Sequence, residues 1–350
     1  MNFTVRSETY EEIEEKIARL ESDPTSITTF SYYTGTKLPE SLFLFDSIED
    51  ISIEGKNITE LPSTLASSPR LRELHVGKTQ VRTLPDGVYE SHTIESLTVT
   101  NSKLTHLPDM VGEMPSLRSL VVFHNDLVKL PDLSRTQLYQ FNALWNPIEH
   151  TDLTKFPDTL KYLFLSGEVS PNIDLRHMKL LEMLRIIDDR NAIESIRLPP
   201  SIKTLSIRSP KSPSFPDGIS DLPNLFELTW MGGNFGEIEL DVESLPNLSN
   251  LILSGCGLTS IPKWLGKIKI LNVLSLSVNK ITRLPNALGS LKRLHKLNLC
   301  YNPITEFEEH SLDSVSSDSL IIDIDLWTRI IERFPDMKDD RFHPKILGEY

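Results

Sequence analysis

One phrase of about 23 residues returns along most of this 350-residue chain, and it restricts the possible folds more than any other feature. Written as Leu-x-x-Leu-x-Leu-x-x-Asn-x-Leu, with other aliphatics admitted at the leucine positions, it begins at Ile48, Leu71, Ile94, Leu117, Leu138, Leu160, Leu181, Ile202, Leu225, Leu248, Leu271 and Leu294. Successive starts lie 23, 23, 23, 21, 22, 21, 21, 23, 23, 23 and 23 residues apart. The cleanest copies are LRSLVVFHNDLVKLP (117–131) and LNVLSLSVNKITRLP (271–285). Positions 1, 4 and 6 of each unit send apolar side chains to one side of a short strand. One unit cannot bury them alone, so neighbouring units must stack to make a core. At ~4.8 Å per strand, eleven intervals predict a parallel sheet roughly 50 Å along its arc.

The pattern resembles the leucine-rich repeat family over about three quarters of the chain. Units of 23 residues with Leu-Pro after the turn are similar to the intracellular and bacterial class, such as Ras-group repeats and LPX-type effectors. The resemblance implies an α/β repeat fold: a leucine-rich repeat solenoid, or horseshoe, with a parallel concave β-sheet, short helices or 3₁₀ turns on the convex side, and helical caps. Residues 1–47 read as an N-terminal cap, because Ile13, Ile17 and Leu20 share one face of a helix with carboxylates opposite. Residues 48–307 form the solenoid of about twelve repeats. Residues 308–350 form a C-terminal cap, with LIIDIDLWTRIIERF (320–334) reading as a strand that runs into a helix.

The ladder asparagine at position 9 occurs as Asn125, Asn146, Asn279 and Asn302. It is replaced by Lys56, Thr79, Ser102, Glu168, Asp189, Pro210, Gly233 and Cys256 elsewhere. Local irregularity is therefore expected in repeats 6 to 9. The spacers between Pro131 and Pro200 are one or two residues shorter, which predicts a plainer outer wall there.

Charge argues about partners. The total of −13 holds −5 in residues 1–47 and −6 in residues 308–350, leaving −2 for the 260 residues between. Such a balance disfavours nucleic acid, which needs a basic face to displace counterions. No apolar run approaches the ~18 residues of a membrane span, and the first residues lack the features of a signal peptide. Two cysteines, Cys256 and Cys300, exclude a disulfide scaffold and fit a reducing, cytoplasmic compartment. The sequons at Asn57 and Asn247 are discounted on the same grounds. Export by a non-classical route as an effector stays open.

Catalytic patterns are missing. Gly77-Lys78-Thr79 ends like a phosphate loop, but the required first glycine falls on Arg72 and the segment is repeat 2 itself. No His-Glu-x-x-His or Gly-x-Ser-x-Gly occurs, and no histidine or cysteine spacing calls for a metal. The chain reads as a non-enzyme that uses no cofactor, metal or small-molecule substrate.

Positions 3, 5 and 7 of each strand point away from the leucine core, with position 8 at the rim. At positions 5 and 7 the two ends of the array are small and polar. Repeats 4 to 7 instead carry Val121, Phe123, His124, Leu144, Trp145, Tyr162, Phe164, Met183, Arg185 and Ile187, with Arg208 following. Tryptophan, tyrosine and arginine dominate interface hot spots, and contiguous exposed apolar patches mark binding surfaces. The expectation is a protein–protein interaction module, monomeric by itself, that grips a protein through its middle repeats. Alternatives are the substrate-recognition arm of an effector or ubiquitin-ligase system with its catalytic part on another chain, and a self-associating structural solenoid. The bland reading of Trp145 is a ring folded over the rim in an aromatic ladder.

Overall fold

The computed structural model describes residues 2–5, 10–20, 28–33, 38, 40, 45–315, 320–335 and 345–347. It comprises two compact units, Met1–Glu168 and Val169–Tyr350.

In the first unit the strands β1 (Asn2–Val5), β2 (Thr29–Tyr32), β3 (Asp50–Glu54), β4 (Glu73–Gly77), β5 (Ser96–Thr100), β6 (Ser119–Val121), β7 (Gln140–Ala143) and β8 (Tyr162–Ser166) pair in chain order, all parallel. Like positions of successive repeats face one another, as in Leu74↔Leu97 and Leu97↔Leu120. The second unit holds β9 (Asn172–Asp174), β10 (Met183–Ile187), β11 (Ser195–Arg197), β12 (Thr204–Arg208), β13 (Glu227–Met231), β14 (Asn250–Ser254), β15 (Val273–Ser275), β16 (Arg283–Leu284), β17 (Lys296–Asn298), β18 (Glu306–Phe307), β19 (Leu320–Asp323) and β20 (Lys345–Leu347). Its main sheet runs β10, β12, β13, β14, β15, β17, β19, β20, again parallel.

Positions 1, 4 and 6 are buried in every repeat, from Ile48, Ile51 and Ile53 to Leu294, Leu297 and Leu299. Each buried aliphatic contributes on the order of 1.5–3 kcal/mol, so the stack of some three dozen such side chains forms the core. Size is balanced within a strand: Phe141 at position 4 is followed by Ala143 at position 6, and its ring packs 5.3 Å from that of Phe156. Trp230 replaces a leucine at position 6 and sits among Phe215 and Phe235, with ring centroids 5.4 and 6.2 Å away.

The turn after each strand has a definite conformation. Position 8 is left-handed in nine repeats: Lys78, Asn101, His124, Trp145 and Gly167 in the first unit, Gly232, Gly255, Val278 and Tyr301 in the second. That conformation lets position 8 donate one more ladder bond before the chain turns: Lys78 to the Thr100 carbonyl (2.9 Å), His124 to Leu144 (2.9 Å), Val278 to Cys300 (2.9 Å). The position-9 asparagines then turn inward. The Asn279 amide nitrogen donates to the carbonyls of Leu253 (2.7 Å) and Leu276 (2.8 Å), and its oxygen accepts from the N–H groups of Cys256 (3.0 Å) and Leu258 (3.1 Å).

Where asparagine is missing, other groups fill the same need. Thr79 and Ser102 pair their hydroxyls at 2.8 Å. Ser166 accepts the Asn146 N–H at 3.1 Å, and the thiol of Cys256 donates to the Trp230 carbonyl at 3.4 Å. In repeat 7 the buried carboxylate of Asp188, at position 8, accepts from the N–H groups of Val169, Arg190 and Asn191 at 3.0, 2.9 and 2.9 Å. Position 8 departs from the left-handed turn in repeats 1, 7 and 8, so two of the repeats expected to be irregular, 7 and 8, share that departure with the first.

On the opposite side of several 23-residue coils, Leu-Pro or Ile-Pro starts a short turn whose apolar residue tucks inward. Examples are Ser63–Ala66 with Leu65, α2 (Asp86–Tyr89) with Val88, and Lys263–Lys267 with Leu265. The 21-residue repeats have no room for such a turn. Their outer wall is extended, and β9 pairs with β11. Before the first repeat lies α1 (Tyr10–Leu20), with Ile13 and Ile17 buried; the Leu20 side chain lies outside the described residues. After the last repeat, α3 (Ile324–Arg333) buries Leu326 and Ile330, and its first turn is capped by Asp323 accepting the Leu326 N–H at 2.9 Å.

Candidate functional site

On the solvent side of the first unit's sheet, strand register decides which side chains meet. Val121, Asn142 and Phe164 stand abreast on β6, β7 and β8. Tyr162 is abreast of Gln140, and its ring meets that of Tyr139 edge-on at 6.4 Å. Phe123 and His124 follow β6, their rings 6.0 Å apart, and the His124 ring bonds the Asn101 side chain at 2.9 Å. Trp145 stands at the rim, 50% exposed. Val121, Phe123, Tyr162 and Phe164 are half-buried and His124 is exposed.

Two expected members are corrected. Leu144 is only 5% exposed and Ile187 only 8%. Both occupy position 7, where the strand ends and the chain begins to turn. A short or branched side chain there lies down against the adjacent coil, and Gly77, Ser166 and Cys300 at the same position are buried too. The His124 N–H donates to the Leu144 carbonyl at 2.9 Å, which sets Leu144 beside Phe123, and the N–H of Leu144 itself is taken by the Asn142 side chain at 3.1 Å. Only Arg208 and Met231 project from position 7 into solvent.

Trp145 carries a further cost. With φ of 58° it is left-handed, a conformation that crowds Cβ against the following carbonyl by ~1–2 kcal/mol for ordinary residues. Gly167 fills the same turn one repeat later without that cost. The tryptophan is therefore held at a strained position with half of its surface in water.

In the second unit Met183 is half-buried, while Arg185 and Arg208 are exposed and diagonal across β10 and β12. Arg208 pairs with Asp189 at 2.8 Å. Arg185 has no ion-pair partner among the described residues. Met231 stands abreast of Arg208 on β13 and is exposed. Met231, Phe226 and Tyr139 escaped the sequence reading. Tyr139 and Phe226 sit at position 2, where Glu49, Arg72, Glu95, Lys161, Glu182 and Lys203 show charge to be the habit. An aromatic breaking that habit was the available signal.

Burial pushes the Cys256 thiol up to about 12, and burial followed by the charge of Asp323 pushes Cys300 up to about 11, so neither is poised as a nucleophile. A cleft of about 610 Å³ in the second unit is lined by Arg283, Glu306, Phe307, Glu308 and Arg329. Its charges satisfy one another, with Arg283 2.9 Å from Glu308 and 3.6 Å from Glu306. Among the described residues, no group of three or more metal-ligating side chains converges and no helix is long and apolar enough to cross a membrane.

Residues 246–317 match the family model described as Leucine rich repeat. No curated protein sequence matches the chain. Among solved structures, a leucine-rich repeat protein of Leptospira interrogans is similar at 22% identity and a TM-score of 0.64, the match covering 95% of this chain and 98% of that one. An internalin, InlF, of Listeria monocytogenes matches at 15% identity and a TM-score of 0.60, covering 87% and 92%. The Toll–Spatzle complex of Drosophila contributes a match at 18% identity and a TM-score of 0.64, covering 93% of this chain and 47% of that one. Identities this low establish the shared fold.

Proposed function

Taking as premise that this chain has the leucine-rich repeat fold, a general scaffold for protein–protein interaction, we propose that it is a non-catalytic module binding a protein partner through the solvent side of its middle repeats. In the first unit Trp145, Phe164, Tyr162, Tyr139, Phe123 and His124 supply the contact, with Val121 beneath them. In the second unit Met183, Arg185, Arg208 and Met231 do so, the free guanidinium of Arg185 receiving an acidic group. Residues 1–47 and 308–350 serve as caps to the solenoid of residues 48–307. The free, buried cysteines fit a reducing cytoplasmic setting and a monomeric chain.

One observation carries this reading. Trp145 is half exposed at a backbone position that penalises it, and burial against a partner repays what folding does not.

The test is purification of the native complex from the source organism, then affinity measurement with variants. Asparagine tolerates the left-handed turn, so Trp145→Asn isolates the ring from the backbone. Trp145→Asn and Phe164→Ala are expected to weaken binding by ~30-fold or more, the scale of a 2 kcal/mol hot spot. Ser52→Ala, a position-5 residue on β3 three strands from Val121, should bind normally. Unchanged affinity in both variants would move the site elsewhere, and a large loss of melting temperature would make the aromatics structural.

A further inference from the structure

Charge changes along the solvent face of the first unit's sheet. At positions 2 to 8, repeats 1 to 3 carry the carboxylates Glu49, Asp50, Glu54, Glu73 and Glu95. Their cations are matched to these, Lys78 to Glu54 at 2.9 Å and Arg72 to Glu95 at 3.1 Å. Over the same positions repeats 4 to 6 read RSLVVFH, YQFNALW and KYLFLSG. That stretch holds Arg118, His124 and Lys161 but not one carboxylate, in a chain with 49 acidic and 36 basic side chains.

Position 2 sets the two permanent cations on either side of an aromatic. The Tyr139 N–H donates to the Arg118 carbonyl and the Lys161 N–H to the Tyr139 carbonyl, each at 2.8 Å, so these three exposed residues sit on consecutive coils. The Arg118 guanidinium donates to the carbonyls of Pro115 and Leu117, both at 3.3 Å, which leaves its charge uncompensated. Neither Arg118 nor Lys161 has an ion pair among the described residues, and Asp158, in the loop leading to β8, does not pair with Lys161.

Asn142 adds a third donor. It is half-buried between Val121 and Phe164, and its oxygen already accepts the Leu144 N–H at 3.1 Å. Its NH₂ group has no acceptor among the described residues, so a donor is what it offers. An ionised carboxylate is acceptor only and suits two cations and an amide NH₂ together. A nucleic acid carries a charge every ~3.4 Å of each strand and needs more than two permanent cations to hold it.

We propose that this face, given the binding role proposed for it above, selects an acidic segment of the partner protein. Carboxylates of the segment meet Arg118, Lys161 and the Asn142 amide, while an apolar side chain beside them packs on Phe164 and Trp145.

The experiment uses the full chain and three fluorescein-labelled peptides read by fluorescence anisotropy. One carries glutamates around a central Leu-Phe pair; the others replace every glutamate with glutamine or with lysine. The net charge of −13 by itself favours the lysine peptide, so the local site and the overall charge predict opposite orders. The glutamate peptide is expected to bind most tightly and the lysine peptide at least ~10-fold more weakly. Exposed ion pairs contribute up to ~1 kcal/mol each, so Arg118→Gln with Lys161→Gln should weaken the glutamate peptide by ~10-fold and flatten its salt dependence. Asn142→Asp keeps the oxygen that Leu144 uses and turns the outward donor into a negative charge. It should weaken the glutamate peptide by ~10-fold or more. Circular dichroism melts establish that each variant is folded at the assay temperature.

Lysine or glutamine peptides binding as tightly as the glutamate peptide would overturn the proposal. So would no detectable binding of the glutamate peptide, or tighter binding of labelled oligothymidylate. If Trp145→Asn and Phe164→Ala weaken all three peptides alike and the charge variants weaken none, the selection of acids falls and the binding face stands. If the charge variants weaken the glutamate peptide and the aromatic variants do not, the binding role of the aromatics falls, and the proposal with it.

Discussion

Replacing Asn279 with alanine tests how these coils are held together. The side chain is buried and spans two coils: its oxygen accepts from the Cys256 and Leu258 N–H groups at 3.0 and 3.1 Å, and its nitrogen donates to the Leu253 and Leu276 carbonyls at 2.7 and 2.8 Å. Asn279→Ala leaves two buried N–H groups without an acceptor, each costing ~1–3 kcal/mol. The carbonyls lose less, because each keeps a second lone pair. Allowing for some water entry, the expected loss is ~3 kcal/mol. Asn298→Ala is the matched control: it is half-buried on the sheet face and its oxygen accepts only the Cys300 N–H, two residues on, at 3.1 Å. That loss should stay under ~1 kcal/mol. Urea titration followed by circular dichroism reads the stability of each variant. Because repeat arrays open locally, hydrogen exchange at the Cys256 and Leu258 amides gives the second measurement, and Asn279→Ala should accelerate both. If the two variants lose equal stability, or if the two amides exchange as in the parent, the ladder does not bind the coils and the reasoning fails.

Leu276→Asp should lose several kcal/mol by burying an unpaired charge in the core, while Ser277→Asp next to it, half-exposed on the sheet face, should be nearly neutral; two thermal melts decide. Both thiols should resist a disulfide reagent in the folded chain at pH 8, since their pKa values of about 12 and 11 keep them protonated and burial shields them. Two equivalents should react in urea, and fast native labelling would contradict the placement. Gly289→Ala drives a Cβ into the backbone carbonyl of His310 and should lose ~2–3 kcal/mol. Gly266→Ala, whose added carbon makes only a 3.4 Å contact with the Ala287 side chain, should melt close to the parent.

The repeat was legible from the sequence because it rests on solubility and periodicity alone. Leucines at positions 1, 4 and 6 can escape water only by stacking, so Leu74, Leu97 and Leu120 had to meet on adjacent strands. The shortened spacers likewise foretold the loss of helical turns near β9 and β11. Side-chain exposure at the ends of strands was not legible. Alternation counts faces, but position 7 is where the strand stops, and the turn that follows depends on the next coil. Leu144 and Ile187 were therefore placed in water when the structure covers them. Nor could spacing reveal that Trp145, Val278 and Tyr301 share a left-handed backbone. Nothing local favours that conformation for those residues; in Val278 and Tyr301 it carries the N–H to an acceptor beyond its own coil. The sequence determined which side chains form the core, since burial needs only a repeating pattern. Which apolar groups stay on the surface, and at what backbone cost, was decided by contacts between coils that only the assembled structure contains.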